Sequence, residues 1–415
     1  MRRIELDRAR EAGFDPDRLR RAFGLLEGWT EDGTVPGAGA LIARDGKIAG
    51  EAYVGLAHRA EKRAVSADTV WSLASITKPF TATALLQVVE DGLVALDEPV
   101  YRLFPEFLDA PETAFNRRAV TVRHLLTHSS GLPGFSPDNL ALRQAHRPLE
   151  DFVRSFASQA LAFAPGSAHL YSNPAILSAA EIAARASTGS LGKRQETPRV
   201  GKIHTLIAER ILGPLGMQNS TMKPPADWAD RIAWVEATGQ EGTDYEMANS
   251  AYYRSLGIPW GGLFSTPRDL ARFVDLFLPS AGGAGRLGFS DGARPRVVSP
   301  ATARAMTSVQ VAPPEVAADV VPDLRDAGAP DIPQPAVEWG LGWEVKGGKR
   351  GHRSGDLTSP ATYSHAGATG TMVWADPLSG IVCVLLTNQT LVSGWTSRRA
   401  RQAAFSNAVA AAATS

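Results

Sequence analysis

The residues that could carry out chemistry begin with a serine and a lysine three positions apart, Ser75 and Lys78. On a helix this spacing places both side chains on one face, so the lysine amine can reach the serine hydroxyl. A serine hydroxyl is a poor nucleophile until a neighbour takes its proton, and a lysine can do so only when burial or nearby positive charge lowers its pKa. The spacing alone is weak evidence, because Ser190 and Lys193 repeat it in a polar loop. Ser75 differs in its context, since a predicted strand precedes it and a predicted apolar helix follows it, with Pro79 in the first turns.

A tyrosine and an asparagine form a second group that could serve the same chemistry. Tyr171 and Asn173 are separated by one residue and follow a Pro-Gly turn signal. A tyrosine beside Lys78 could carry a proton to a leaving group, and the Asn173 amide could orient a substrate or the lysine. Taken alone, this segment indicates only a buried tyrosine and a turn-forming Asn-Pro pair.

The third group lies just before an apolar strand signal near the end of the chain. Within segment 363–370, His365 is followed by small residues that include Gly367 and Ala368. Small residues here would allow a substrate to approach the backbone of the strand. Backbone N–H groups of Ser75 and of this strand could then stabilise a developing oxyanion.

Strand patterns occur at both ends of the chain, whereas helix patterns dominate its middle and precede the C-terminus. The sequence therefore predicts an α/β domain built from residues 1–74 and 236–415, a mainly helical domain from residues 75–235, and an active site at their junction. An Asp-Gly pair at 45–46 predicts a tight turn between the first two strands. The predicted helices span residues 15–32, 75–92, 121–128, 148–160, 174–186, 203–213 and 397–412, and the predicted strands span 39–44, 47–53, 371–375 and 381–386.

The order of the three groups resembles that of a known superfamily. Ser-x-x-Lys, then Tyr-x-Asn, then His-x-Gly before a C-terminal strand resembles the serine β-lactamases and penicillin-binding proteins. The Tyr-x-Asn form is similar to class C β-lactamases, related DD-peptidases and family VIII carboxylesterases, and the last of these are closest in type. Segments 121–132, 211–217 and 261–270 also resemble segments of these proteins.

The resemblance implies a role for each matching residue. Ser75 would form an acyl-enzyme, Lys78 and Tyr171 would share the general-base role, and Asn173 would support them. The backbone N–H groups of Ser75 and Ala368 would form the oxyanion hole, and the His365 and Gly367 motif would face the substrate. The implied fold is an antiparallel β-sheet flanked by N- and C-terminal helices, with an inserted all-α domain.

One residue departs from the β-lactamase pattern. His365 stands where β-lactamases of this kind carry a lysine, which supplies a permanent positive charge for a substrate carboxylate. Histidine is largely neutral at pH 7, so uncharged esters are favoured. The leading hypothesis is therefore a carboxylesterase, with weak β-lactamase or acyltransferase activity as an accessory. The alternatives are a β-lactamase, a DD-peptidase or D-amino-acid amidase, and a sensor that is acylated without turnover.

Four aromatic residues are candidates for an apolar acyl pocket. They are Trp260, Trp339, Trp343 and Tyr252.

A second serine offers a rival nucleophile. Ser290 lies in a Gly-x-Ser-x-Gly motif, which in other hydrolases forms a nucleophile elbow. That elbow requires a strand immediately before the serine and a helix immediately after it. Neither flank has such a pattern, so we expect Ser290 to lie in a surface loop.

Two histidines offer a rival metal site. His124 and His128 have the helical spacing of a zinc-binding pair, but the glutamate of that motif is missing. We expect them to cap or pack the helix end before Ser129, and we expect neither a metal nor a cofactor in the active site.

The composition limits the kinds of molecule that the protein is expected to bind. Lys and Arg total 43, as do Asp and Glu, so the formal net charge of zero favours neither nucleic acid nor an anionic membrane. The single cysteine, Cys383, lies in an apolar run and is predicted to be a buried strand residue. The sequence shows no signal-peptide pattern and no membrane-length apolar run, so the expected partner is a small-molecule ester or amide and the expected location is cytoplasmic. The oligomeric state stays open.

Overall fold

The central sheet of the molecule is assembled from both ends of the chain. The computed structural model describes residues 3–110, 114–237, 246–279, 287, 297–311, 338–390 and 395–414. Within these residues the main sheet runs in the order β1-β3-β2-β10-β9-β8-β7, its paired neighbours are antiparallel, and β4 pairs with β3. β5 and β6 form a separate two-stranded pair. The strands are β1 Arg3–Glu5, β2 Gly37–Arg44, β3 Lys47–His58, β4 Arg63–Ala64, β5 Trp71–Ser72, β6 Phe264–Ser265, β7 Glu344–Val345, β8 Tyr363–Gly367, β9 Thr371–Asp376 and β10 Ile381–Thr387.

Helices cover the sheet and fill the middle of the chain. Those assigned within the described residues are α1 Pro16–Glu31, α2 Thr77–Glu90, α3 Val100–Leu103, α4 Val122–Leu126, α5 Asn139–Gln144, α6 Leu149–Ala157, α7 Asn173–Ser187, α8 Ile203–Ile207, α9 Ala251–Leu256, α10 Pro267–Asp275, α11 Pro300–Thr307 and α12 Trp395–Ala412. None of them is both long enough and apolar enough to cross a bilayer.

The sheet is apolar on both faces because helices lie on both sides. In β2, Leu41 contributes to the core on the α2 side, whereas the next residue, Ile42, contributes to the core beneath α1 and α12. This alternation follows from the two-residue period of a strand. On the second side, Phe23 of α1 and Phe405 of α12 lie 6.4 Å apart between ring centroids. Cys383 of β10 is fully buried there, as the sequence predicts, and burial raises the pKa of its thiol.

Local sequence signals explain where the elements begin and end. Asp45 and Gly46 both have positive φ, as a tight hairpin turn between β2 and β3 requires. Asp15 caps α1 by accepting backbone N–H groups of its first turn. The predicted helix at 121–128 is shorter, because His128 has φ +56° and ends the helical conformation.

The helix that follows Ser75 is the centre of the helical part. Every residue of α2 from Thr77 to Val88 is buried, so this helix has no solvent face over that length. It packs against α7 and α8. The sequence predicts one helix from residue 75, whereas the structure has a 3₁₀ turn, Ala74–Ile76, before α2. The α/β class with an antiparallel sheet and flanking helices is confirmed, while the domain limits at residues 75 and 235 stay a prediction.

Candidate active site

Ser75 lies at a strained turn between β5 and α2. The preceding residue, Ala74, has φ +46°, a left-handed conformation that costs a non-glycine residue on the order of 1–3 kcal/mol. Such strain persists only where neighbouring contacts enforce it. Thr77 Oγ1 donates to the Ala74 carbonyl at 2.7 Å and accepts the Leu263 N–H at 3.0 Å. The turn leaves Ser75 partly exposed, although its neighbours in sequence are buried.

The chain segment that precedes Ser75 is also hydrogen-bonded to the turn after β8 and to the start of β9. Thr369 Oγ1 donates to the Ser72 carbonyl at 2.7 Å, and Thr371 Oγ1 donates to the Leu73 carbonyl at 3.0 Å. Both hydroxyls are buried. These bonds fix the segment before the serine against the sheet.

Lys78 reaches Ser75 as the spacing predicts. Its Nζ lies 3.0 Å from Ser75 Oγ and donates to the Trp260 carbonyl at 2.9 Å. The side chain is fully buried, and burial holds the pKa of Lys78 well below its ordinary value of 10.5. Burial of this kind favours the unprotonated amine, which is the form that can accept the serine proton.

Tyr171 contacts the same amine through its ring. The Lys78 Nζ is 4.6 Å from the centroid of the Tyr171 ring. Tyr171 is partly exposed, unlike the lysine, and comes two residues before α7. The Lys78 amine therefore contacts both Ser75 and Tyr171, although the tyrosine comes from a separate part of the chain.

Asn173 begins α7, immediately beyond the tyrosine. Its backbone N–H and its side-chain Nδ2 both donate to the Gly134 carbonyl at 3.0 Å. This amide group thus holds the start of α7 against the loop at Gly134.

His365 faces the site from the middle of β8, opposite Val373 of β9. Its Nδ1 lies 3.0 Å from the Ala366 carbonyl, while its Nε2 is enclosed. Burial, with a smaller contribution from the charge of Lys78, lowers the pKa of His365 to about 3. The imidazole is therefore neutral at pH 7, and it donates from Nδ1 to the carbonyl.

Gly367 has a structural reason for its lack of a side chain. A Cβ at this position would lie 2.2 Å from the Leu73 carbonyl oxygen and 2.3 Å from Thr371 Oγ1. The sequence analysis assigned the space beside these small residues to the substrate. At Gly367 that space is occupied by the Leu73 carbonyl and the Thr371 side chain. The next residue, Ala368, is partly exposed in the turn after β8.

Only one of the four predicted pocket aromatics places its ring at the site. The Trp339 ring lies 5.9 Å from the Tyr171 ring and 5.9 Å from the His365 ring. Trp260 contributes its carbonyl to Lys78, but its indole packs against Phe152 and Phe156 at 6.0 and 5.3 Å.

The other two predicted pocket residues lie elsewhere. Trp343 is fully buried and packs against Phe277 and Tyr363. Tyr252 stacks on His146 and donates its hydroxyl to the Arg147 carbonyl at 2.7 Å. These ring contacts involve neither Tyr171 nor His365, and sequence position does not reveal the direction in which an aromatic ring points.

Two histidines near the site were not predicted to be there. The His128 ring lies 4.5 Å from the Tyr171 ring and 5.0 Å from the Trp339 ring. His169 lies 5.4 Å from Trp339. Of these two histidines, only His128 had a sequence signal, which was its spacing from His124. His124 caps the start of α4 rather than the end before Ser129, since its Nδ1 accepts the Thr121 N–H at 3.2 Å.

The rival pair Ser190 and Lys193 makes contacts of its own within a loop. Ser190 Oγ contacts Thr188 Oγ1 at 3.0 Å, and Lys193 Nζ donates to the Gly189 carbonyl. That serine and lysine are therefore each engaged in local loop contacts. Ser290 lies outside the described residues.

A cavity of about 500 Å³ lies among the segment 104–109, the C-terminal part of α6, Arg185 of α7 and the loop 194–198. Ionic groups in its wall are paired, Arg194 with Asp109 and Arg185 with Glu106. Neither Ser75 nor Lys78 lines it.

The fold and the clustered serine, lysine and tyrosine agree with the family comparison. The chain belongs to the β-lactamase family, whose model matches residues 23–405. This is a family of serine hydrolases with the β-lactamase fold that includes esterases, penicillin-binding proteins and β-lactamases. The predicted resemblance to the serine β-lactamase and penicillin-binding protein superfamily is thereby confirmed.

Individual relatives carry different names. Esterase EstB of Burkholderia gladioli is 29% identical over 376 residues, which cover 85% of this chain and 86% of that protein. Penicillin-binding protein 4 of Amycolatopsis lactamdurans is 30% identical over 366 residues, which cover 85% of this chain and 81% of that protein. Among solved structures, a family VIII carboxylesterase has a TM-score of 0.68 at 22% identity, covering 97% of this chain and 99% of that chain. At that identity the structural match supports the fold alone.

Proposed function

We propose that this protein cleaves carboxylic esters through an acyl-enzyme on Ser75. The observation that carries the proposal is the 3.0 Å approach of Lys78 Nζ to Ser75 Oγ, made by an amine whose pKa is lowered by complete burial. A solvated lysine would be protonated at neutral pH and could not take the serine proton. The buried amine can act as a general base without an additional activating group.

The reaction has two halves that use the same groups in opposite directions. Ser75 Oγ attacks the ester carbonyl while its proton passes to the Lys78–Tyr171 pair. As the C–O bond to the alcohol breaks, the pair returns the proton to the departing oxygen. Water then attacks the acyl-enzyme, loses a proton to the same pair, and releases the carboxylic acid as Ser75 regains its proton.

Backbone donors complete the proposed machinery. The N–H groups of Ser75 and Ala368 would bind the oxyanion, since Ala368 lies in the turn that the Thr369 hydroxyl ties to Ser72. Asn173 would support the site indirectly, by holding the start of α7 beneath Tyr171. Gly367 would let β8 pack closely against the serine turn.

The choice of ester over β-lactam rests on His365. A buried neutral imidazole supplies no positive charge for the carboxylate that β-lactams carry. Esterase EstB is about as similar to this chain as penicillin-binding protein 4 is, and its name supports this choice. The second candidate is a penicillin-binding or D-alanyl-peptidase activity, favoured by the relative that is named a penicillin-binding protein.

A substrate panel separates these candidates. Wild type, Ser75→Ala and Ser190→Ala would be assayed with p-nitrophenyl acetate and butyrate, a chromogenic cephalosporin and a D-alanyl-D-alanine peptide. We expect steady turnover of the esters with the highest kcat/KM, a loss of about 10³-fold or more in Ser75→Ala, and no change in Ser190→Ala.

Other outcomes would replace the proposal. A higher kcat/KM for the peptide or the cephalosporin would favour the second candidate. A burst of one product per chain followed by no turnover would indicate a sensor rather than an enzyme.

A further inference from the structure

We propose that His128 is a positioning residue that holds Tyr171 against Lys78 by binding the backbone on both sides of the tyrosine. The proposal rests on the proposed function, in which Tyr171 moves protons at Ser75. It gives a role to a histidine whose spacing from His124 first indicated a metal pair.

Two hydrogen bonds place His128 around the tyrosine. The His128 carbonyl accepts the Leu170 N–H at 2.8 Å, and His128 Nδ1 accepts the Ser172 N–H at 3.1 Å. Leu170 and Ser172 are the immediate neighbours of Tyr171 in the chain. One residue therefore binds the amide before the tyrosine and the amide after it, while its ring packs 4.5 Å from the tyrosine ring.

The same pairing of segments continues beyond His128. Ser172 Oγ donates to the Pro133 carbonyl at 2.8 Å, and the Asn173 N–H donates to the Gly134 carbonyl. The loop from 128 to 134 thus runs beside the segment that carries Tyr171. His128 contributes the contacts nearest to the tyrosine. In the contact described for the Ser172 N–H, the acceptor is the ring nitrogen of His128.

The protonation of the ring follows from these contacts. Because Nδ1 accepts a hydrogen bond, the proton of the neutral ring is on Nε2. The ring is fully buried and meets the Trp339 ring at an interplanar angle of 75°. Burial, with smaller contributions from the repulsion that protonated His169, Lys78 or His365 would exert on a charged ring, holds the pKa of His128 well below its ordinary value. The ring therefore remains an acceptor at neutral pH.

The backbone of His128 constrains which variants are informative. Its φ of +56° is left-handed, a conformation that glycine and asparagine tolerate better than other residues. Glycine keeps this backbone and removes the ring acceptor. Asparagine keeps the backbone and places Oδ1 near the position of Nδ1, so it can accept the Ser172 N–H. Comparing the two variants separates the effect of losing the hydrogen-bond acceptor from the effect of the left-handed backbone.

The test compares His128→Gly, His128→Asn and the control His124→Asn with p-nitrophenyl acetate as substrate. A displacement of about 1 Å in a catalytic group can reduce the rate about 100-fold, so we expect a loss of that size in kcat for His128→Gly with little change in KM. We expect His128→Asn to recover most of this loss. We expect the control to lower the melting temperature without lowering kcat, because the described role of His124 is to cap the start of α4.

The pH profile provides a readout that a purely structural role would not change. Displacing Tyr171 from Lys78 should shift the acid limb of kcat/KM in His128→Gly, whereas His128→Asn should retain the wild-type limb. Circular dichroism and melting curves would establish that each variant is folded. Wild-type kcat and pH profile in folded His128→Gly would overturn the inference, as would equal losses in the glycine and asparagine variants.

The failure of this inference is distinguishable from the failure of the proposed function. If Ser75→Ala keeps its esterase activity, the proposed function fails whatever the His128 variants show. If Ser75→Ala is inactive while folded His128→Gly is fully active, only the role of His128 fails.

Discussion

The proposed role of Lys78 as the base for Ser75 depends on the complete burial of the lysine amine. Lys78 lies in a helix that has no solvent face along most of its length, and its contacts include the Trp260 carbonyl and the Ser75 hydroxyl. Burying an amine without a carboxylate partner is costly, and the low pKa of the lysine expresses that cost. At this site the chain loses stability and gains a base that works at neutral pH.

Replacing Lys78 with methionine should therefore change activity and stability in opposite directions. We expect Lys78→Met to lose about 10³-fold or more in kcat, because Ser75 loses its base. We expect its free energy of unfolding to rise by about 0.5–2 kcal/mol at pH 7, as is common when a functional strained site is replaced. Urea unfolding and ester turnover measured on the same samples would test both statements.

The sign of the pH effect follows from linkage. Because burial lowers the pKa of Lys78, the unfolded chain keeps this proton up to a higher pH than the folded chain does, and burial of Lys78 destabilises the fold at pH values below 10.5. The penalty disappears as the pH rises through 10.5, and the stability advantage of Lys78→Met should shrink accordingly. An advantage that grows toward high pH would contradict the assignment of a neutral lysine.

Substrate choice should respond to the charge at His365. A charged hydrogen bond contributes about 1.5–3 kcal/mol, so His365→Lys should raise the ratio of cephalosporin to ester kcat/KM by about tenfold or more. His365→Gln is the matched control, because it is polar and uncharged. The explanation of ester preference fails if the ratio is the same in both variants and in wild type.

At the scale of elements, the site depends on how closely β8 approaches the turn at Ser75. Thr369 and Thr371 donate to the carbonyls of Ser72 and Leu73, and Gly367 leaves no Cβ between the two segments. The π-helical turn Ala208–Leu212 that continues α8, and the 3₁₀ turn before α2, are further departures from regular helices. Neither can be read from apolar periodicity.

A methyl group at Gly367 should separate these two segments. Overpacking of this kind costs about 1–3 kcal/mol, so Gly367→Ala should lower the melting temperature and also reduce kcat. The control is Gly24→Ala in α1, where a Cβ meets no atom within 4 Å. There we expect a gain in stability of up to about 1 kcal/mol, because alanine favours a helix, and no change in kcat. Equal effects at the two glycines would contradict the role of the close approach.

The sequence predicted the long elements and the central residues of the site for physical reasons. The α1 helix and the strands β2, β3, β9 and β10 have clear periodicity or apolar runs, and the turn at Asp45 has a specific residue preference. Strand β8 was not predicted as a strand, because its polar and small residues break the pattern. The positions of Trp343, Tyr252 and His128 depend on tertiary packing, which spacing along the chain does not encode.

At the scale of the whole molecule, the site is formed where parts distant in sequence meet. Ser75 and Lys78 come from the start of the helical region, Tyr171 from its middle, and His365 from the C-terminal part of the sheet. The sheet in turn joins β2 near the N-terminus to β10 near the C-terminus along seven residue pairs. The geometry at Ser75 therefore requires the complete fold, and the central claim is best tested on the intact protein.

The most direct measurement is the site of covalent labelling by a p-nitrophenyl alkylphosphonate, which reacts with an activated serine and stays attached. We predict one label per chain by intact mass, located on Ser75 by peptide mapping, with no label in Ser75→Ala and normal labelling in Ser190→Ala. Label on another residue, or labelling of folded Ser75→Ala at the wild-type rate, would contradict the account.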